Sequence, residues 1–316
     1  MTQYLLRRLA LMVPTLFLVS VMAFLIVRLI PGDAVTLMFA DLGYAKSIGQ
    51  MRARLGLDLP FYEQYVRWIG DLSRGRFGES LWTQRGVLSL LAERLPVTLE
   101  LSLLSLVFAV LYGGITGVVA AVRQDDWLDM SLRSVAMVFL SLPSFWLGTL
   151  AIVLPSLYIG WSPNIRLVPF ATDPLASLAQ FLLPAAILGT HLGAPVMRMI
   201  RAMMLETFRQ DYIRTAWAKG LQPRRVILKH ALRNAVIPTV TILGVQTSQA
   251  IAGSVVMETL FQLPGMGSLL VEAVAHRDFP TFQALVLCLA LFVLAVNILV
   301  DFACLAIDPR LRVQAH

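Results

Sequence analysis

DYIRTAWAKGLQPRRVILKHALRNAVIP, residues 211–238, is a charged segment that lies between two of the most apolar stretches of the chain. Asp211 is placed to cap a short helix of about 13 Å, and Gly220 offers the left-handed backbone that ends such a helix. The apolar stripe of this helix is predicted from three residues at helical spacing, Ile213, Ala216 and Trp217. We expect Trp217 to pack against the helix that follows.

A second helix is predicted directly after Gly220. Pro223 fits its first turn, and Pro238 is expected to start the next apolar segment. One face is apolar and carries Val226, Ile227 and Ala231. The other faces carry Arg224, Arg225, Lys229 and Arg233. Two interpretations are open: a solvated loop whose charges only fix topology, or a rigid hairpin that passes the movement of a soluble partner into a membrane.

The composition of the chain is that of a membrane protein. Of its 316 residues, 58% are hydrophobic and only 14% are charged, and the mean hydropathy is +0.74. A soluble domain of this size is much less apolar, so we predict a polytopic membrane protein. The net charge of +7 does not indicate a nucleic-acid partner, because the basic residues lie beside apolar segments rather than on a folded domain.

Six apolar segments predict six membrane-spanning helices, at about residues 9–30, 97–122, 134–159, 178–200, 236–257 and 282–307. The first run is about 22 residues long, which exceeds the apolar core of a signal peptide, and we expect it to remain as a membrane helix. The fourth is expected to be kinked or partly unwound at Pro184, Gly189, Gly193 and Pro195. The predicted organisation is a membrane helix over 1–30, an extracytoplasmic loop region over 31–95, and a core of five membrane helices over 96–316 that includes a cytoplasmic hairpin at 205–237.

The distribution of positive charge predicts the orientation of these helices. Nine Lys and Arg residues but only two acidic residues lie between Arg198 and Arg233, whereas the loop 160–177 carries only Arg166 and Asp173. Because cytoplasmic loops are enriched in Lys and Arg, the hairpin is predicted to be cytoplasmic, with both chain termini on the same side and residues 31–95 outside.

The long polar region after the first span contains one amphipathic helix. Its apolar and aromatic residues recur at helical spacing after Pro60, and they are Phe61, Tyr65, Trp68, Ile69 and Leu72. Such a helix is expected either to lie on the bilayer surface or cap the helix bundle, or to dock an external binding protein.

No motif for catalysis or for a resident cofactor is present in the sequence. The chain has no Gly-Lys dipeptide and therefore no P-loop, and it has no HExxH or CxxC spacing. Its four histidines are scattered, and only His191 lies in the fourth span, where a polar side chain tends to face a cavity or another helix. We therefore expect neither an enzyme nor a metal site.

Polar residues of the fifth span and of the loop after it are candidates for a translocation pathway. Gln246, Gln249 and Gly253 share one helical stripe, and Glu258 lies near the outer end. Met266 belongs to the loop 258–280, which is expected to dip toward the mouth of the pathway or to form a short plug against lipid. Interhelical packing is the alternative role of the stripe, with Gly253 allowing close approach.

The hairpin resembles the "EAA loop" of binding-protein-dependent ABC importer permeases, in Arg214-Thr215-Ala216 followed by Gly220. It departs from that motif because Arg214 stands where the motif has Glu, Thr215 replaces the first Ala, and Ile237-Pro238 comes later than the terminal pair. The segment LGLDLPFYEQYVRWIGDLSRGRFGESL resembles the outer loop of the dipeptide/oligopeptide/nickel branch of the family, and IDPRLR resembles its ending. The resemblance thus extends over essentially the whole chain.

This resemblance implies an all-α fold like that of type I ABC importer permeases, in the bacterial cytoplasmic (inner) membrane. It implies a second permease subunit, two ABC ATPase subunits that bind ATP, and an extracytoplasmic substrate-binding protein. The implied contacts with the ATPase are Asp211, Tyr212, Arg214, Thr215, Ala216, Ala218, Lys219 and Gly220. The implied cargo is a di- or oligopeptide, with nickel chelate, glutathione or an opine as alternatives. A secondary transporter is the alternative of another class, but it would need paired ionisable residues near the membrane centre and inverted repeats, which the sequence does not show.

Cysteine labelling tests the predicted orientation. In a variant without Cys288 and Cys304, Lys46→Cys should react with a membrane-impermeant thiol reagent in intact cells, and Arg224→Cys should not. After the membrane is permeabilised, both positions should react, which controls for the reactivity of each thiol. The opposite pattern in intact cells would overturn the topology.

Overall fold

The computed structural model describes residues 2–29, 58–164 and 166–307. Within these ranges the secondary structure is helical, with one isolated β-bridge between Glu79 and Gly86 and no strand. The helices are α1 (Thr2–Leu29), α2 (Phe61–Ser73), α3 (Val87–Val122), α4 (Trp127–Ser141), α5 (Ser144–Ile159), α6 (Pro174–Phe208), α7 (Asp211–Ala218), α8 (Pro223–Arg225), α9 (Arg233–Leu260), α10 (Met266–Ala275) and α11 (Phe279–Ile307). A π-helical segment, Val226–Leu232, joins α8 to α9. The predictions for residues 30–57 and for 308–316 lie outside the described residues.

The chain forms two compact units. The first comprises Val97–Gly267 and Ala295–His316, and the second comprises Thr2–Pro96 and Ser268–Leu294. The predicted functional division at residues 30 and 95 stays a prediction, since these units are defined by packing alone.

Five helical segments of the described residues are long and apolar enough to cross a membrane. They are Ala10–Arg28, Val87–Val122, Pro174–Phe208, Pro223–Leu260 and Phe279–Val300. Helices α4 and α5 make a sixth span if the pair is counted as one. The predicted all-α membrane fold is confirmed.

The third predicted span is not one straight helix. Helices α4 and α5 meet at Leu142-Pro143 with a bend of 96°, so the expectation of a continuous helix over 134–159 is wrong. Pro143 has no backbone N–H to continue the helix, and it holds the preceding residue in an extended conformation. Leu142 has φ −87° and ψ 129°, which ends α4 at that point.

The fourth predicted span is one unbroken helix, α6, of 35 residues. The expectation that it is partly unwound is therefore wrong. Pro184 and Pro195 both lie inside it. Membrane helices tolerate internal prolines where neighbouring helices pack around them, and α6 carries the largest share of the buried residues of the first unit.

Glycines bring α3 and α6 into backbone contact. Gly113 and Gly117 on α3 are four residues apart, as are Gly189 and Gly193 on α6. A Cβ atom on Gly113 would lie 2.5 Å from the Gly193 carbonyl oxygen, and one on Gly189 would lie 2.6 Å from that of Ser105. Each helix thus presents a GxxxG face to the other, and this close packing gives the glycines of the fourth span a structural role.

Helix α9 completes the core of the first unit. Gly253 lies against Leu188 of α6, and Gly244 lies against Val300 of α11. The buried cluster that joins α3, α6 and α9 includes Leu101, Ala109, Phe181, Ala185, Leu188, Leu192, Ala250 and Met257.

In the second unit, α2 confirms the amphipathic helix predicted after Pro60 and packs on α1. The loop before α3 is fastened to the start of α11 by Asp278, which is 4% exposed. Its carboxylate accepts hydrogen bonds from the Ser80 hydroxyl (2.5 Å), from the Leu81 N–H (3.0 Å) and from the Thr281 hydroxyl (2.7 Å).

The contact between α3 and α6 can be tested with neighbouring glycines. Gly113→Val should lower the thermal stability of the purified transporter, because overpacking of a tight interface costs about 1–3 kcal/mol. Gly114→Val is the matched control, since a Cβ atom on Gly114 meets nothing within 4 Å. Equal melting temperatures for the two variants would show that the close approach does not contribute to stability.

Candidate functional site

The hairpin begins with α7, which ends in a left-handed turn at Gly220. Gly220 has φ +72°, as predicted from the sequence. Its N–H donates to the Trp217 carbonyl (2.9 Å), and the Leu221 N–H donates to the Ala216 carbonyl (3.3 Å). These two bonds form a Schellman motif, which satisfies the last carbonyls of α7 and reverses the chain.

The start of α7 differs from the prediction. Gln210 is the N-cap residue, and Asp211 is the first residue of the helix, so the assignment of Asp211 as N-cap is wrong. The Asp211 carboxylate instead lies 3.5 Å from the Arg214 guanidinium, and both side chains are exposed. An acidic residue in the first turn still interacts favourably with the helix dipole.

The buried face of α7 is narrower than predicted. Ile213 is fully buried and Ala216 is 6% exposed, and both pack against Val226, with Phe208 and Leu221 beside them. Trp217 is 45% exposed, so the expectation that it packs against the second helix is wrong. Ile213 and Ala216 already occupy the contact with the second helix. Trp217, the residue after Ala216, points about 100° further around α7.

This burial also corrects the role expected of Ala216. Its methyl group lies inside the hairpin and is not available to a groove on a partner, whereas Ala218 is exposed. The solvent-facing residues of α7 and its C-cap are Asp211, Tyr212, Arg214, Thr215, Trp217, Ala218 and Lys219. They form the exposed face of the hairpin.

The second arm of the hairpin runs on into the fifth span. Pro223 lies in the first turn, and Val226 and Ala231 are buried, as predicted. However, Pro238 lies inside the helix rather than at the start of a new one, and Pro223–Leu260 forms a single helix of 38 residues. One proline removes only one backbone hydrogen bond, which a packed membrane helix tolerates.

A side-chain tether holds α7 to this long helix. The Asn234 amide donates to the Tyr212 hydroxyl (2.6 Å) and to the His230 carbonyl (3.0 Å). Asn234 was not predicted from the sequence, because it is 22 residues from Tyr212 and no local periodicity connects them.

A buried ion pair lies near the base of the hairpin. Asp129 of α4 is fully buried, and Arg201 of α6 donates to both of its carboxylate oxygens, at 2.8 and 2.7 Å. The Asp125 N–H (3.0 Å) and the Arg133 guanidinium (3.2 Å) also contact the carboxylate. This cluster was missed as well, although a charged residue beside a span is a signal that a partner is needed.

His191 contacts a neighbouring helix, which is one of the two environments expected for it. Its Nδ1 lies 2.8 Å from the carbonyl oxygen of Phe139 in α4, and because a carbonyl only accepts, Nδ1 carries the hydrogen. In a continuous helix the Phe139 carbonyl would accept from the N–H of residue 143, which is a proline. His191 therefore supplies the donor that the break at Pro143 removes.

Glu258 and Met266 belong to a buried turn rather than to an open pathway surface. Glu258 is fully buried and Met266 is 1% exposed. The Thr98 hydroxyl donates to the Glu258 carboxyl group (2.7 Å) and accepts from the Met266 N–H (2.8 Å). Gly265 and Gly267 leave the space that the Glu258 carboxyl group occupies, since a side chain at either position would overlap it.

The polar stripe predicted on the fifth span is partly buried and partly exposed. Gln246 is 4% exposed, and within the described residues its side-chain oxygen has no hydrogen-bond partner. Gly253 packs on Leu188, as the packing alternative expects, and Gln249 is exposed. Gln249 is the only one of the predicted pathway residues that is exposed in the described part of the chain. Its role in the pathway stays a prediction.

The role of Thr98 can be tested by a change that preserves its volume. Thr98→Val should lower the thermal stability of the purified transporter, because it removes a donor to buried Glu258 and leaves the Met266 N–H without its acceptor, at a cost of about 1–3 kcal/mol each. Ser102→Ala is the control, since the buried Ser102 hydroxyl, one turn along α3, has no hydrogen-bond partner among the described residues. If Thr98→Val melts at the parental temperature, the turn is held by packing alone.

Comparison with known proteins gives concordant matches. Residues 113–313 match the family model described as binding-protein-dependent transport system inner membrane component, and residues 1–102 match the model for the N-terminal part of such membrane components.

Two relatives resemble the chain over its full length. The di/tripeptide transport system permease protein DppB of Pseudomonas aeruginosa is 40% identical, over 99% of this chain and 100% of its own. The glutathione transport system permease protein GsiC of Escherichia coli K12 is 39% identical, over 99% of both chains.

Among solved structures, an inward-facing form of the MetNI methionine ABC transporter matches with a TM-score of 0.57 and 17% identity, over 69% of this chain and 96% of that one. At this identity the match supports the fold.

Proposed function

The chain belongs to the family of binding-protein-dependent transport system inner membrane components, and we propose that it is a permease subunit of a bacterial ATP-driven peptide importer. With a second permease subunit it forms the path for di- or oligopeptides across the inner membrane. Two separate ATPase subunits bind and hydrolyse ATP, and an extracytoplasmic binding protein delivers the cargo. The chain itself carries no cofactor in this proposal, and it is not an enzyme.

The relatives favour a short peptide as cargo. One is a di/tripeptide permease and another is a glutathione permease, and both are similar over their whole length. Glutathione is itself a tripeptide, so the two cargoes share a backbone amide, a free carboxylate and an amino group. Membership of the family argues against a secondary transporter that works alone.

The proposed topology places the hairpin on the cytoplasmic side. The basic residues between Arg198 and Arg233 support this side. A count of six spans, with α4 and α5 taken as one, puts both termini there as well. The loop region 31–95 is then extracytoplasmic, and 96–316 is the core that carries the hairpin 205–237.

We infer that α7 couples the ATPase to the membrane helices, and the construction of the hairpin supports this role. Its exposed face is fixed to the membrane helices at three points: the buried contact of Ile213 with Val226, the turn at Gly220 and the tether from Asn234. The helix that follows the turn runs 38 residues, about 57 Å, without a break. A displacement of α7 is therefore passed on to one long, rigid helix. That single continuous helix is the observation on which the proposal rests.

The coupling role predicts a specific phenotype for Gly220→Val. A side chain at this positive φ costs about 1–2 kcal/mol and displaces α7, so the subunit should still insert and assemble while peptide uptake is lost. Gly160→Val is the matched control, because Gly160 also ends a helix with positive φ (+66°) and open space around its Cβ position. Membrane insertion, co-purification of the ATPase and uptake of a labelled tripeptide are measured for both.

A second variant separates the exposed face from the turn. Ala218→Trp adds bulk to the exposed face without entering the buried contact, and it should weaken ATPase binding or uncouple ATP hydrolysis from uptake. If Gly220→Val and Ala218→Trp both transport at the parental rate with the complex intact, the hairpin is only a topological loop.

A further inference from the structure

Helix α2 packs one of its faces against α1 through aromatic and polar side chains. The Tyr65 ring lies edge-on to Phe24, with centroids 5.3 Å apart, and its hydroxyl is 2.7 Å from that of Ser20. Trp68 also lies against Phe24, at 5.9 Å between centroids. Gln64, at the start of this face, accepts from the Arg28 guanidinium at 2.5 and 3.1 Å.

These contacts set the depth of α2 along a membrane span. They extend from Arg28 at the end of α1 to Phe17, whose ring centroid is 6.4 Å from that of Tyr65. Eleven residues of helix cover about 16 Å, roughly half of a bilayer's hydrocarbon thickness. The α1 segment involved belongs to the candidate span Ala10–Arg28. Arg28 closes that span, as expected of an arginine at the boundary between hydrocarbon and headgroups.

A second face of α2 is apolar, and two of its side chains are exposed among the described residues. Tyr62 is 69% exposed and Val66 is 66% exposed. Ile69, which is half-buried, continues their stripe one turn further on. On α1, Leu18 and Met22 are also exposed, at 59% and 53%. Charged residues occupy the third face of α2, at Glu63, Arg67 and Asp71.

We propose that the face formed by Tyr62, Val66 and Ile69 is embedded in the lipid of the leaflet at the Arg28 end of α1. A helix with an apolar face and a separate charged face lies in the plane of the membrane boundary, with its apolar side immersed by about 5–10 Å. The contacts of Tyr65 with Phe17 and Ser20 hold α2 at that depth, where a water-soluble binding protein cannot reach its apolar face. Lipid thus covers the apolar face of α2, and only the charged face of α2 is in contact with water. This inference goes beyond the transport function and depends only on α1 crossing the membrane.

Spin labels on adjacent residues distinguish the occupants of this face. Val66→Cys and Arg67→Cys are made in a background with Cys288→Ser and Cys304→Ser, and the assembled transporter is placed in vesicles of phosphatidylethanolamine and phosphatidylglycerol. Collision rates are measured with oxygen, which concentrates in hydrocarbon, and with a water-soluble nickel chelate. At position 66 oxygen should dominate by several-fold, and at position 67 the nickel chelate should dominate.

Two other results would overturn the proposal. Dominance of the nickel chelate at position 66 means that the face is in water, and low collision rates with both reagents mean that another protein subunit covers it. The pair Tyr62→Cys and Glu63→Cys repeats the comparison one turn earlier, so that a labelled variant that fails to assemble does not decide the result.

Discussion

Every backbone N–H and C=O inside a bilayer needs a partner, and this constraint accounts for the irregular features of the first unit. Where Pro143 interrupts a span, it takes away the donor to the Phe139 carbonyl, and His191 of α6 replaces it at 2.8 Å. Where the chain turns after α9, the Met266 N–H finds the Thr98 hydroxyl. In both places a polar side chain on a neighbouring helix completes the main chain, so these polar residues are explained by structure before any role in transport is invoked.

Within lipid, close packing rather than hydrophobicity determines which helices associate with each other. The α3 and α6 backbones approach through Gly113 and Gly193, because lipid chains are as apolar as leucine and only contact and hydrogen bonding discriminate between partners. The buried Asp129 adds an ion pair with Arg201, whose two donors satisfy both carboxylate oxygens. Removing either member of such a pair leaves a buried charge, which costs about 3–5 kcal/mol, so the pair fixes α4 to α6 near the hairpin.

Local features were predictable from the sequence, and features set by packing were not. The positive φ of Gly220, the buried stripe of Val226 and Ala231, and the positions of most spans follow from residue type and periodicity. The break at Pro143 was missed because proline is compatible with either a tolerated kink or a full break, and tertiary contacts decide between them. Ala216 and Trp217 both fit an apolar stripe, and only the position of Val226 determines that Ala216 is buried and Trp217 exposed. The tether from Asn234 to Tyr212 exists only once the hairpin has closed.

The form of the hairpin also explains how so short a helix is held in place. An isolated helix of eight residues is marginal in water, because nucleation costs more than a few hydrogen bonds return. Here the Schellman turn satisfies the carbonyls of α7, and the contact of Ile213 with Val226 anchors it to a helix that continues into the membrane. The π-helical segment Val226–Leu232 lies inside that helix, between α8 and α9, where its wider turn shifts the register of the residues that follow. The chain runs from α6 through α7 into the long helix, so α7 connects two membrane helices that also contact each other at Leu188 and Gly253.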